Sequence, residues 1–162
     1  LIRSKAKRIG KYIGRKLKVD DYYSMQKNGY PTKSLRIRKS DGFYMVNFKR
    51  RISFKNGMHA KNEVEFKVSD IQGFLSLIED FGYRKWLTKR KISEIYELGK
   101  NFHLELNNVK SLRWFLEIEY LTSNEGIANA RRKILNVFKK FGINKNELVK
   151  EGYTKLLWDK KT

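Results

Sequence analysis

Charged side chains of both signs recur at alternate positions along several short runs of this chain. Arg36 and Arg38 open the series, followed by Lys49, then Glu63, Glu65 and Lys67, Lys89 and Lys91, Glu105, and finally Glu117 and Glu119. Lysine and arginine at such spacing hold phosphate oxygens, and paired carboxylates hold hard cations such as Mg²⁺ or Mn²⁺. Alternation of this kind places the charges on one face of a sheet. That face has two possible environments. It is either the solvated outside of an antiparallel sheet or the inside of a sheet rolled into a barrel. Unpaired charges in a dry interior cost several kcal/mol each. A rolled sheet must therefore enclose water, metal ions and a polyanion.

Composition narrows the partners. The chain has 162 residues, with 37 Lys plus Arg against 17 Asp plus Glu, for a net charge of +20. With 40% hydrophobic and 14% aromatic residues, it has enough apolar mass for one compact domain over 1–162, and disorder is excluded. The absence of cysteine excludes disulfides, thiolate zinc sites and a thiol nucleophile. No apolar run reaches the roughly 20 residues of a membrane span, and no signal-peptide pattern opens the chain. An intracellular, cytoplasmic protein with polyanionic partners is expected: nucleotide, polyphosphate or RNA, with no membrane. The chain starts at Leu1 rather than Met, as a trimmed or partial chain would.

Strands must position the charges. Leu35–Arg38, Phe43–Arg51, Asn62–Val68, Thr88–Leu98, Phe102–Val109 and Trp114–Leu121 read as strands from alternation and from aromatic and β-branched content. Lys39-Ser40-Asp41-Gly42 is a hairpin turn, and Lys55-Asn56-Gly57 and 26–32 are loops. Ser69-Asp70 caps a helix carrying Ile71, Phe74, Leu75, Ile78 and Phe81, closed by Gly82. Thr122-Ser123-Asn124-Glu125 reads as a capping box for a second helix, Ile127 to Phe141, closed by Gly142. A weaker helix covers about Ser4 to Tyr12 with Gly14 near its end. A short element of either type lies around Glu147–Trp158.

The run Glu-x-Glu, cap, helix, Phe-Gly occurs twice, at 63–82 and at 117–142. A first copy would end at Ile13-Gly14, with its strand upstream of Leu1. Arg3, Lys5, Lys7, Arg8, Lys11, Arg15, Lys16 and Lys18 read as a basic surface helix. Arg131, Arg132, Lys133, Lys139 and Lys140 form a second basic set. Gly10 to Gly14 is no phosphate loop, since the spacing is short and the Lys-Ser/Thr pair is absent. Tyr22, Tyr23 and Tyr30 are expected to pack rather than stack on bases. His59 and His103 lack ligand-like neighbours.

Five motifs fall in order: Leu35-Arg36-Ile37-Arg38, Asn47-Phe48-Lys49, Glu63-Val64-Glu65, Arg90 to Tyr96, and Phe115-Leu116-Glu117-Ile118-Glu119. Together they resemble the CYTH, or triphosphate tunnel metalloenzyme, superfamily, nearest its class IV adenylyl cyclase branch, from Asp20 to Leu157. The resemblance implies an α+β fold, an eight-stranded antiparallel tunnel with flanking helices that binds a triphosphate. Family members cyclise ATP or hydrolyse thiamine triphosphate or tripolyphosphate with Mg²⁺ or Mn²⁺. Carried over by position, Arg36, Arg38, Lys49, Lys67 and Lys89 would bind substrate. Glu63, Glu65 and Lys91 would be catalytic, and Glu117, Glu119 and Asn107 would hold metal.

The departures point the other way. The family's opening Glu-x-Glu-x-Lys strand, which supplies metal ligands and a catalytic lysine, is absent. Ser93 stands where the family has an arginine two after Lys91. Asn107 stands where it has a metal-binding aspartate, and Glu105 is the nearby substitute. The expectation is thus double: a metal-dependent triphosphatase or cyclase, or a degenerate tunnel that binds RNA or another polyanion, as a subunit of a larger complex.

Overall fold

The computed structural model describes residues 1–40, 42–55 and 58–161, with Arg51 as backbone. The expected turn residue Asp41 and the loop residues Asn56-Gly57 lie outside the described residues. Among the described residues, seven antiparallel strands form one sheet in the order β4-β3-β2-β1-β5-β6-β7. They are β1 (Lys11–Ser24), β2 (Leu35–Ser40), β3 (Phe43–Lys55), β4 (Met58–Val68), β5 (Arg84–Gly99), β6 (Phe102–Val109) and β7 (Trp114–Tyr120). Four helices flank it: α1 (Ile2–Ile9), α2 (Ile71–Asp80), α3 (Ile127–Phe141) and α4 (Tyr153–Asp159). The fold is the α+β tunnel type.

Apolar residues on the convex face explain where the helices dock. Ala6 of α1 and Val137 and Phe141 of α3 pack on Tyr96, Leu104 and Leu106 of β5 and β6. Ile78 of α2 packs on Tyr23, Ile37 and Val46 of β1 to β3. Leu157 of α4 instead packs at one end of the sheet on Leu87 and Val109, which share the charged, concave face of β5 and β6. Intervening residues on each strand point to the concave side, and these are the alternating charges. The sheet curls so far that all seven strands supply wall to one cavity. No ladder joins β4 to β7 among the described residues, so the sheet is a curled half-barrel. No described helix is long and apolar enough to cross a membrane.

Two local readings are corrected. Residues 11–24 are strand, not the end of a basic helix. The helix stops at Ile9-Gly10. Ile13 is bulged out of the β1–β5 ladder, with Gly14 at φ +151° beside it. The clustered lysines masked a period of two, which pairs β1 with β5 from Lys11↔Glu97 to Ser24↔Arg84. Of the eight basic residues, only Arg3, Lys5, Lys7 and Arg8 therefore lie on α1. Arg3 is committed to Glu94 (Nε–Oε2 2.9 Å) and Lys5 to the carbonyl of Phe141.

The second correction concerns α3. No side-chain cap forms at Ser123, and a 3₁₀ turn over Asn124–Gly126 leads into the helix instead. A capping box does occur later, where Asn144 and Glu147 bond reciprocally. The Asp70 cap is as expected, accepting from the Gly73 amide at 3.0 Å. Gly82 and Gly142 take left-handed φ after α2 and at the end of α3.

Candidate functional site: a charged tunnel

The concave face encloses a cavity of about 250 Å³. Its wall carries Lys18 from β1, Arg36 and Arg38 from β2, Lys49 from β3, and Lys91 from β5. Facing these five cations are five carboxylates: Glu63 and Glu65 from β4, Glu105 from β6, and Glu117 and Glu119 from β7. Strand register makes the pairs. Lys49 lies opposite Glu63 on the β3–β4 ladder, and its Nζ sits 2.5 Å from Oε1. Glu105 and Glu117 are opposite on β6–β7, and Lys91 reaches both, at 3.0 and 3.2 Å. Lys18 donates to Glu105 at 2.5 Å.

The electrostatics follow from these contacts. Burial alone would raise the pKa of Glu105, but Lys91 and Lys18 bring it down to about 2. Glu117 is pulled in the same direction, its burial outweighed mainly by Lys91. Glu119 is the exception. Burial pushes its pKa up, and Glu117, Glu63 and Glu105 add to that against Lys49. No described cation forms an ion pair with it. Its cross-strand partner is His103, which also lines the cavity. Burial lowers the pKa of Lys18, which Glu105 offsets only in part.

Beneath the wall lies a buried polar layer. Asp20 is fully buried on β1 and accepts from Arg38 Nε at 2.6 Å and Nη2 at 3.0 Å, with Lys89 Nζ 2.9 Å away. Burial alone would raise its pKa, but these cations hold it well below the usual carboxylate range. Asn47, also fully buried, donates through Nδ2 to both Glu63 (3.0 Å) and Glu65 (3.1 Å). Arg36 reaches Glu65 at 3.5 Å, and its buried Nε has no partner among the described residues. Asn107 donates to Glu117 Oε2 at 2.7 Å, and Tyr153 at the start of α4 donates to the same oxygen at 3.3 Å.

Arg36, Arg38, Lys49, Lys91, Glu63, Glu65, Glu117 and Glu119 thus stand around one cavity. Lys89 and Asn107 lie buried behind its wall. Lys67 is exposed elsewhere, its ammonium 4.5 Å from the centre of the Phe43 ring. Sequence reasoning missed Lys18, Asp20, Asn47, His103 and Tyr153 as site residues. Alternation of Lys18, Asp20 and Tyr22 was the available signal for the first two. Tyr153 had no signal in strand alternation, because α4 reaches the tunnel only through tertiary packing; the Gly152-Tyr153 segment had only its likeness to the family. Tyr22 and Tyr30 pack in an aromatic cluster with Trp86 and Trp158.

A family model for the CYTH domain matches residues 8–153. Solved structures agree over almost the whole chain. The PH1012 protein of Pyrococcus horikoshii is 27% identical with a TM-score of 0.75, covering 95% of this chain and 93% of its own. The PH1819 protein of the same organism is 23% identical with a TM-score of 0.79, covering 98% and 93%. A candidate adenylate cyclase from Vibrio parahaemolyticus is 18% identical with a TM-score of 0.77, covering 96% and 89%. No curated protein matches significantly.

Proposed function

The chain belongs to the CYTH family, and on that premise we propose that its tunnel binds a triphosphate-bearing ligand, a nucleotide or a linear polyphosphate, without efficient turnover. The observation that carries this is the convergence of Lys18, Arg36, Arg38, Lys49 and Lys91 from four strands on one cavity. Point charges and forked guanidinium donors at several angles suit a chain of phosphates. Arg36 adds an unpartnered Nε.

Members of this family typically depend on a divalent metal. The residues here do not fit a ready-made metal site. No group of three or more described carboxylate or histidine side chains is disposed to hold an ion. Glu63, Glu105 and Glu117 already hold ammonium groups. At the position of the expected aspartate, Asn107 turns its NH₂ toward Glu117, a donor where a metal needs an acceptor. No reaction step is therefore assigned through a metal. The chain's own residues bind and orient phosphates, and Asn107 and Tyr153 hold Glu117 in place.

Calorimetric titration with tripolyphosphate and with ATP tests the reading, alongside phosphate and cyclic-nucleotide release with Mg²⁺ or Mn²⁺. Micromolar or tighter binding, weakened at least tenfold in Arg36→Ala and Lys91→Ala, with release at background, is the expected result. Binding indifferent to both substitutions would overturn the site assignment. Release at enzymatic rates would overturn the binding-only reading.

A further inference from the structure

A second cavity stands apart from the tunnel. It measures about 460 Å³ and lies between β5, the β6–β7 turn and the C-terminal end of α4. It shares no wall residue with the tunnel. Four cations rim it: Arg90, Lys110, Lys160 and Lys161, over Leu87 and Leu157. No acidic side chain lines it. None of the four makes an ion pair with a described carboxylate.

That contrast decides what the cavity can do. In the tunnel, each incoming phosphate competes with a carboxylate for its cation. In the second cavity, four like charges converge with nothing described to neutralise them. Mutual repulsion of like charges gathered on one rim is relieved by an anion that bridges them. We propose that this cavity is a second anion site, taking a small ligand with two or more phosphate groups. A single phosphate would leave part of the rim unpaired, whereas an oligophosphate chain spans it. The volume lies within the range of small-molecule sites.

The site is joined to the tunnel through α4. Lys160 Nζ donates to the Ser111 carbonyl in the β6–β7 turn at 2.7 Å. At the other end of the same seven-residue helix, Tyr153 donates to Glu117. A ligand clamping Lys160 and Lys161 to Arg90 and Lys110 fixes α4 against the sheet, and so fixes Tyr153 over Glu117.

The test is metal-free calorimetric titration with inorganic tripolyphosphate at low salt, counting sites. The wild type is expected to bind two equivalents. Arg90→Glu with Lys161→Glu, both exposed, should remove one of them or weaken it at least tenfold. Arg36→Ala with Lys49→Ala should remove only the other. Lys110→Gln alone, the milder change, should weaken the second site severalfold should the charge reversals fail to fold. Two equivalents surviving the reversals, or in Lys110→Gln an unaltered second affinity, would overturn the proposal, as would a single equivalent that vanishes with Arg36 and Lys49. A single equivalent that survives the tunnel substitutions and vanishes with Arg90 and Lys161 supports the second site and sinks the tunnel reading instead.

Discussion

Ser93 and Asn107 face each other across β5 and β6, and the Ser93 hydroxyl donates to Asn107 Oδ1 at 2.6 Å, with both residues fully buried. The resemblance read from the sequence implies an arginine and an aspartate at these two positions. The pair found here is neutral and joined by a hydrogen bond. A charged residue at either position alone would be buried without a partner. The hydrogen bond also fixes the orientation of the amide, turning Nδ2 toward Glu117.

Asn107→Asp therefore breaks more than it restores. It removes the donor to Glu117 and sets a carboxylate against a carboxylate. A loss of about 1–3 kcal/mol at neutral pH is expected, read from urea unfolding. Mn²⁺ should recover much of it by neutralising the new acidic pair, and should leave the wild type almost unmoved. Equal stability of variant and wild type without metal would show that the Asn107 amide does not hold Glu117.

Asp20 gives the largest single effect. Removing its charge leaves Arg38 and Lys89 without their shared counter-ion, and Lys89 is itself only 6% exposed. Breaking a buried pair by deleting one partner costs about 3–5 kcal/mol. Asp20→Asn should lower stability by that order, while Asp21→Asn, whose side chain is one-third exposed beside Lys85, should lower it by about 1 kcal/mol or less. Comparable losses in the two variants would place Asp20 outside the load it is assigned.

How far the sequence discloses this molecule depends on how each element is stabilised. β2 to β7 announce themselves by alternating apolar and charged residues, whether a helix covers the apolar side, as at Ile37 and Leu104, or leaves it half open, as at Val64 and Phe66. β1 does not. Its residues Lys11, Arg15 and Lys16 are basic and exposed, and the helix α1 before it is basic as well. With no apolar alternation at its start, Lys11 to Leu17 carries no period that separates helix from strand. Its length is set by the partner β5, which no local pattern reveals. The same holds for α4, whose seven residues are held by Leu87, Val109 and the aromatic cluster around Trp86. The alternating charges were legible as a face, and the family motifs as a tunnel. That each cation already has a carboxylate partner needed the curl of the sheet.

Because tunnel cations are engaged by carboxylates, weakening that engagement should help an anion in the absence of metal. Glu63→Gln frees Lys49, while a glutamine oxygen can still accept from Asn47 Nδ2. Metal-free affinity for tripolyphosphate should rise about threefold to tenfold, since a gain of about 1 kcal/mol is roughly fivefold. Lys67→Ala, outside the cavity on Phe43, should leave it unchanged. Weaker binding in Glu63→Gln would mean that Glu63 aids the anion rather than competing with it.

Glu105 and Glu119 should give pH dependences of opposite sign. The folded-state pKa of Glu105 is depressed from 4.5 to about 2. Its contribution to stability is present above its unfolded value and lost as pH falls toward 2. Glu105→Gln should be less stable than wild type at pH 7, with the gap closing in acid. Glu119 is raised by burial and by Glu117, Glu63 and Glu105, with Lys49 opposing. Its favourable contribution is present only below the unfolded value and is lost as pH rises through the raised one. Glu119→Gln should thus be more stable than wild type at pH 7, the advantage fading below about pH 4. Because His103 is the cross-strand partner of Glu119, both measurements belong in a His103→Gln background, by urea unfolding from pH 3 to 8. A Glu119→Gln protein less stable than its parent at neutral pH would show that the Glu119 carboxylate is held by a counter-charge rather than strained by burial.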